Sequence, residues 1–291
     1  MTIKLATHYG MCFGVRDALR TTHIAATAEP VTILGQLVHN PEVDRHLRHL
    51  GVDTGTLDGV GEAKTQRVII TAHGASDRLR QKWLESGHQV TDTSCPLVRK
   101  AHQALQLLVD EGYAPVVVGQ SNHVEVKGLI GDFPDAVVIL NEHEIAGIPN
   151  ACKIGVISQT TQPLMNVLQL VDAIKQQRPK ADVRFVDTVC HPTKQRQAAL
   201  EELCEESQVV IVVGGNNSNN TRQLVERARA KGVKTFQVER PEDLKEEWFR
   251  GVDHVGLTAG TSTLDETVAA VQSAIQQMAL HLDGSSAVSS V

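Results

Sequence analysis

Two cysteines of this 291-residue chain sit in near-identical surroundings: Thr91-Asp92-Thr93-Ser94-Cys95 and Val186-Asp187-Thr188-Val189-Cys190 both carry Asp-Thr-x-Cys after a short apolar run. The likeness continues downstream. A glycine opens a polar loop 24 residues after each cysteine, at Gly119 and Gly214, and His123 and Ser218 each follow at 28 residues. Cys12 fits the same ruler more loosely, with His39 27 residues on. Its loop, Gly35-Gln36-x-x-His39, repeats as Gly119-Gln120-x-x-His123. Each stretch then closes on a second small polar loop, at 71–76, 158–163 and 258–263. Such offsets point to three copies of one unit. They divide the chain into 1–88, 89–182 and 183–281, with 282–291 reading as a disordered tail.

Three thiols at equivalent places in three units suggest a shared ligand. Structural zinc usually draws on close pairs such as C-x₂-C, and this chain has none. An iron–sulfur cluster accepts ligands from distant segments, and three cysteines leave one iron of a [4Fe–4S] cube open. An open iron is a Lewis acid and therefore a catalytic site. Cys152 and Cys204 fall outside the repeat and read as small apolar core residues. The six polar loops carry His39, His73, His123, Thr160, Ser218, Asn219, Asn220 and Ser262, and no Lys or Arg. Neutral donors, partly charged histidines and helix N-termini suit a phosphate or diphosphate. Glu125 is the only carboxylate in these loops. Buried beside a bound anion, its pKa would rise, which suits a proton donor.

The elements that must position these residues alternate in type. Apolar runs at 2–7, 31–34, 67–71, 88–92, 115–119, 136–140, 153–158, 183–187, 209–214, 233–238 and 254–260 predict strands. Helical patterns cover 15–28, 41–50, 76–86, 97–111, 163–177, 192–206, 219–231 and 264–281. That alternation predicts an α/β fold with mainly parallel sheets. Ligands of such sheets bind beyond the carboxyl ends of the strands, so three similar domains around a pseudo-threefold axis would bring the cysteines to a cluster at the centre. A net charge of −6 and 3% aromatic residues argue against a nucleic-acid partner. No apolar run reaches membrane-spanning length, and no signal-peptide core follows Met1. Five widely spaced cysteines do not make a secreted disulfide framework, so a cytoplasmic location is expected.

The ordered motifs "GMCFGV", "VHN", "AHG", "TSCPLV.KAH", "H.EV.G", "QTT", "T.QRQ" after Cys190, "NSNN" and "TAG.S" resemble those of the 4-hydroxy-3-methylbut-2-enyl diphosphate reductase family, from about residue 3 to about 280. The resemblance implies one [4Fe–4S] cluster per chain on Cys12, Cys95 and Cys190. It implies diphosphate contacts from His39, His73, His123, Ser218, Asn219, Asn220 and Ser262, with Thr160 and Glu125 near the substrate hydroxyl and Glu125 as proton donor. The implied reaction is the two-electron reductive dehydroxylation of an allylic diphosphate to isopentenyl and dimethylallyl diphosphate, the last step of the non-mevalonate isoprenoid pathway. Reduced ferredoxin or flavodoxin is the implied electron donor, and a monomer is expected. The chain departs from the usual pattern at Gln120, Val124, Leu129 and Asn219, where the family has His, Pro, Thr and Ser, and in "GMCFGV" for "GFCAGV". Two other readings stand beside this one: an open-iron dehydratase acting on another small phosphorylated substrate, and a non-enzymatic redox or zinc module.

Overall fold

A computed structural model describes residues 1–288. Strand β1 (Thr2–Leu5) leads to helix α1 (Phe13–Ala28). Next come β2 (Val31–Leu34), α2 (Pro41–His49), β3 (Asp53–Gly55), β4 (Arg67–Ile70), α3 (Asp77–Glu85) and β5 (Gln89–Asp92). Helix α4 (Pro96–Asp110) opens the run β6 (Ala114–Val118), α5 (Val124–Ile130), β7 (Val137–Ile139), β8 (Lys153–Ser158), α6 (Leu164–Gln177) and β9 (Asp182–Phe185). Helix α7 (His191–Glu206) precedes β10 (Val209–Val213), α8 (Asn219–Ala230), β11 (Lys234–Val238), β12 (His254–Ala259) and α9 (Asp265–Val288).

The strands form three four-stranded sheets, ordered β3-β2-β4-β5, β7-β6-β8-β9 and β11-β10-β12-β1, and every pairing in them is parallel. All three share one topology, and the N-terminal strand supplies the fourth place in the last. The strands are apolar runs because helices cover both faces of each sheet. Alternate residues of β10 show this: Val209, Ile211 and Val213 enter one core, Val210 and Val212 another. In β6, Val116 and Val118 face one core and Val117 the other.

The sheets are one strand out of phase with the expected units 1–88, 89–182 and 183–281. β5 and β9 open the second and third of those stretches, yet they complete the first and second sheets. The reason lies in the crossovers. Helices α3 and α6 return the chain to the same sheet, whereas α4 and α7 carry it onward. α4 packs on β8 and α7 on β12, at glycines whose added Cβ would lie 2.9 Å from Leu108 and 2.7 Å from Leu203. Each of Cys95 and Cys190 thus joins a strand of one sheet to a helix of the next.

By contacts the described chain divides into two compact units. One comprises Met1–Cys12, His39–Pro41 and the chain from His191, with the third sheet; the other comprises Phe13–Val38 and Glu42–Cys190, with the first two. Two elements were not anticipated. β3 is a three-residue edge strand, Asp-Thr-Gly, with no apolar side chain to announce it. α5 lies in a segment read as loop, since two valines and Gly128 in seven residues are poor helix formers. α9 runs through Val288 into the stretch read as a tail, and residues 289–291 lie outside the described ones. No helix among the described residues is long and apolar enough to cross a membrane.

Candidate active site

Cys12, Cys95 and Cys190 each directly precede a helix, α1, α4 and α7, and all three are half-buried. Their amides make equivalent hydrogen bonds. Cys12 N donates to Thr261 O at 3.0 Å, Cys95 N to Ala72 O at 3.0 Å and Cys190 N to Thr160 O at 2.9 Å. Each acceptor stands two residues past the end of the neighbouring strand, β12, β4 or β8. A helix N-terminus favours negative charge, as thiolate ligands require. Space is also kept clear: a Cβ on Gly14 would lie 2.5 Å from the Cys95 Sγ. Half-buried thiols at helix N-termini, one of them with a bare glycine beside it, are the kind of donor an iron–sulfur cluster takes. Cys204 is buried in α7 as expected, but Cys152, expected in the core, is exposed. It lies in the turn before β8, where its carbonyl rather than its thiol is used, by the Asp182 amide at 2.8 Å.

In the unit of the first two sheets, four of the expected residues come together. The loops after β4 and β8 sit at the switch points where the strand order reverses, the usual ligand crevice of such sheets. His123 is the N-cap of α5 and accepts from the Glu125 amide through Nδ1 at 3.1 Å. A neutral ring bonded in this way carries its proton on Nε2, as a donor. The His73 ring meets the His123 ring edge-on at 5.6 Å. Glu125 is 3% exposed, and its Oε1 accepts from the Thr160 amide at 2.6 Å. Burial pushes its pKa up from 4.5 to about 7, against the downward pull of hydrogen bonds from the Thr160 backbone and side chain. Thr160 in turn accepts from Cys190, so a run of hydrogen bonds joins Cys190, Thr160, Glu125 and His123.

The other unit gathers Cys12, His39, Ser218, Asn219, Asn220 and Ser262. Ser262 Oγ donates to His39 O at 3.0 Å, and Asn40 Nδ2 donates to Ser262 O at 2.6 Å. Ser218 caps α8 by accepting from the Thr221 amide at 3.3 Å. Asn219 and Asn220 are buried in the first turn, and the Asn220 side-chain nitrogen has no hydrogen-bond partner among the described residues. A buried amide donor of this kind suits an anion. The expected partly charged histidines need one correction. Burial, and then the Arg222 charge, lower the His39 pKa, so this ring is held neutral.

Sequence reasoning missed the scaffold of these loops. Arg196, 6% exposed, donates to the carbonyls of Gly10, Tyr9 and Pro192, with the shortest bond, to Gly10 O, at 2.6 Å. It ties the loop before Cys12 to the first turn of α7. Gln159, fully buried, accepts from the Gln120 amide at 3.1 Å and from Gln162 at 3.0 Å, fixing the two loops that bear His123 and Thr160. The motifs "T.QRQ" and "QTT" contained both residues, but nothing in their types separated scaffold from ligand contact.

A family model described as LytB protein matches residues 3–276. The 4-hydroxy-3-methylbut-2-enyl diphosphate reductase of Geobacter metallireducens is 35% identical over 274 residues, 92% of this chain and 96% of that protein. That of Aquifex aeolicus is 34% identical over 95% of this chain and 96% of its own. Among solved structures, the E-1-hydroxy-2-methyl-but-2-enyl-4-diphosphate reductase of Plasmodium falciparum aligns with a TM-score of 0.85 at 25% identity, covering 92% of this chain and 85% of the other. A second, an (E)-4-hydroxy-3-methyl-but-2-enyl diphosphate reductase described as the terminal enzyme of the non-mevalonate pathway, aligns at 34% identity with a TM-score of 0.69, covering 95% of this chain and all of the other.

Proposed function

The chain belongs to the LytB protein family, and we propose that it performs the family's reduction with a [4Fe–4S] cluster held by Cys12, Cys95 and Cys190. It is an iron–sulfur oxidoreductase of the non-mevalonate isoprenoid pathway, a 4-hydroxy-3-methylbut-2-enyl diphosphate reductase. The reaction breaks one allylic C–O bond, consumes two electrons and two protons, and releases water with isopentenyl or dimethylallyl diphosphate. The relatives are reductases, which sets this reading above a dehydratase or a zinc module.

When bound, the cluster supplies single electrons and a Lewis-acidic iron. The chain's own residues supply the rest. Glu125 keeps its carboxyl protonated up to about pH 7. The Thr160 amide occupies Oε1, which leaves Oε2 to carry the proton towards the departing hydroxyl. The Thr160 hydroxyl donates to the same carboxyl and helps fix its orientation. His123 and His73 present ring donors to the diphosphate, while neutral His39, Ser218, Asn219, Asn220 and Ser262 add hydrogen bonds. Neutral donors hold a diphosphate without ionising Glu125, and among the described residues no cation acts on that carboxyl to pull its pKa down. Substrate binding holds the proton on Glu125 more firmly still, since a nearby anion raises a carboxyl pKa. Ferredoxin or flavodoxin serves as donor to a cytoplasmic monomer.

The observation that carries the proposal is the shared bonding of the three cysteine amides, each to the second residue past a neighbouring strand. Anaerobic purification is expected to give a brown protein with about four irons per chain. Electron paramagnetic resonance of the reduced protein should show a signal that shifts on adding the hydroxylated diphosphate. Serine at position 12, 95 or 190 removes the cluster, whereas Cys152→Ser and Cys204→Ser keep it. A full iron complement in any of the first three variants overturns the ligand set.

A further inference from the structure

Asp132 accepts from three donors on two helices. Its Oδ2 takes the Asp77 amide at 2.7 Å and His102 Nε2 at 2.8 Å, and its Oδ1 takes the Arg78 amide at 3.0 Å. Asp77 and Arg78 open α3, directly after the loop that carries His73. His102 lies on α4, whose N-cap is Cys95. Asp132 itself follows the end of α5, which begins at His123 and Glu125. One carboxylate therefore ties together the three helices whose N-terminal ends carry His73, Cys95, and His123 with Glu125.

The seam it closes has little give. A Cβ on Gly128 would lie 3.4 Å from Gly74 O and 3.5 Å from Ala75 Cα, and one on Gly131 would lie 2.7 Å from the Ser76 Cβ. α5 thus meets the His73 loop almost backbone to backbone, with no flexible side chain to absorb a shift. Asp77, His102 and Asp132 lie close enough together to suggest a cation site. Backbone amides and the His102 ring already fill the Asp132 oxygens, however, and N–H groups pointing at a site oppose a cation.

We infer that Asp132 is a positioning residue for the reaction: through α3 and α5 it fixes the separation of His73 from His123, and so the grip on diphosphate, without touching substrate. This rests on the assignment of those two histidines to the diphosphate. Inorganic diphosphate, tested as a competitive inhibitor of the anaerobic holoenzyme, reads that grip apart from chemistry. Asp132→Ala removes a charged acceptor of three hydrogen bonds, so its inhibition constant and KM should rise about tenfold, with kcat within about threefold. The Glu125–Thr160 contact does not run through the brace, which is why kcat is spared. His102→Leu cuts one arm and leaves α3 capped, giving a smaller shift of the same sign. His102→Gln, which keeps a donor, restores the wild-type value. On a His73→Ala background, Asp132→Ala should add less than about a twofold change, because it acts through His73. An unshifted inhibition constant in both Asp132→Ala and His102→Leu overturns the inference, as does an equal shift with and without His73. If diphosphate fails to inhibit the wild-type enzyme, the histidine assignment falls and the inference with it.

Discussion

Burial arms Glu125. A carboxyl with its pKa near 7 keeps its proton at neutral pH where an exposed one would have lost it. If this proton limits turnover, kcat falls as pH rises through about 7. Glu125→Gln leaves an acceptor for the Thr160 amide but no acid, so turnover should drop at least about 100-fold while iron content is unchanged. The same shift has a stability sign. The folded pKa lies above the unfolded value of 4.5, so the folded state binds the proton more tightly. The cost of ionising is absent below pH 4.5, grows between 4.5 and 7, and is complete above 7, at roughly 3 kcal/mol. Glu125→Gln does not bear it, and should melt higher than wild type at pH 8, with the gap narrowing towards pH 5. A variant less stable than wild type at pH 8 would show that the carboxyl is not desolvated.

At the scale of elements, the strand-to-helix turns do the positioning, and two of them converge on Thr221 in the first turn of α8. Gly214, which follows β10, has a φ of 150°, and a Cβ there would lie 2.5 Å from Thr221 Oγ1. A Cβ on Gly260, after β12, would clash with the same oxygen and lie 3.2 Å from the Thr221 Cβ. Gly260→Ala is therefore overpacked and should cost about 1–3 kcal/mol, with a raised KM because Ser218, Asn219 and Asn220 open the displaced helix. Thr221→Ala removes the clashing hydroxyl, so the double variant should recover most of the loss in a thermal-unfolding cycle; additive losses would contradict the contact. These close approaches explain the limits of the sequence. Strand-end glycines at 35, 119 and 214 are visible as a repeat, but the side chain each must admit is set by another loop. α5 was hidden because Val124 and Gly128 weaken its helical signal. Its stability comes from the Val126 and Leu129 core contacts and the His123 cap, which are tertiary facts.

On the scale of the molecule, the repeat length was readable and its phase was not. Offsets of 24 and 28 residues recur because α4 and α7 dock alike on β8 and β12. They do not say whether a cysteine-bearing strand closes one sheet or opens the next, which depends on crossover direction. Nor does any local pattern say that β1 pairs with β12, more than 250 residues away, to complete the third sheet. The six polar loops were legible as islands between apolar strands. The braces, Arg196, Gln159 and Asp132, were not, because a buried polar residue that holds backbone has no spacing rule. The central claim is that this chain spends two electrons to remove a hydroxyl. It is tested most directly by anaerobic incubation of the purified holoenzyme with 4-hydroxy-3-methylbut-2-enyl diphosphate, with and without dithionite and a viologen. Isopentenyl and dimethylallyl diphosphates appearing only with the reductant are the expected result; loss of the hydroxyl in its absence would contradict the account.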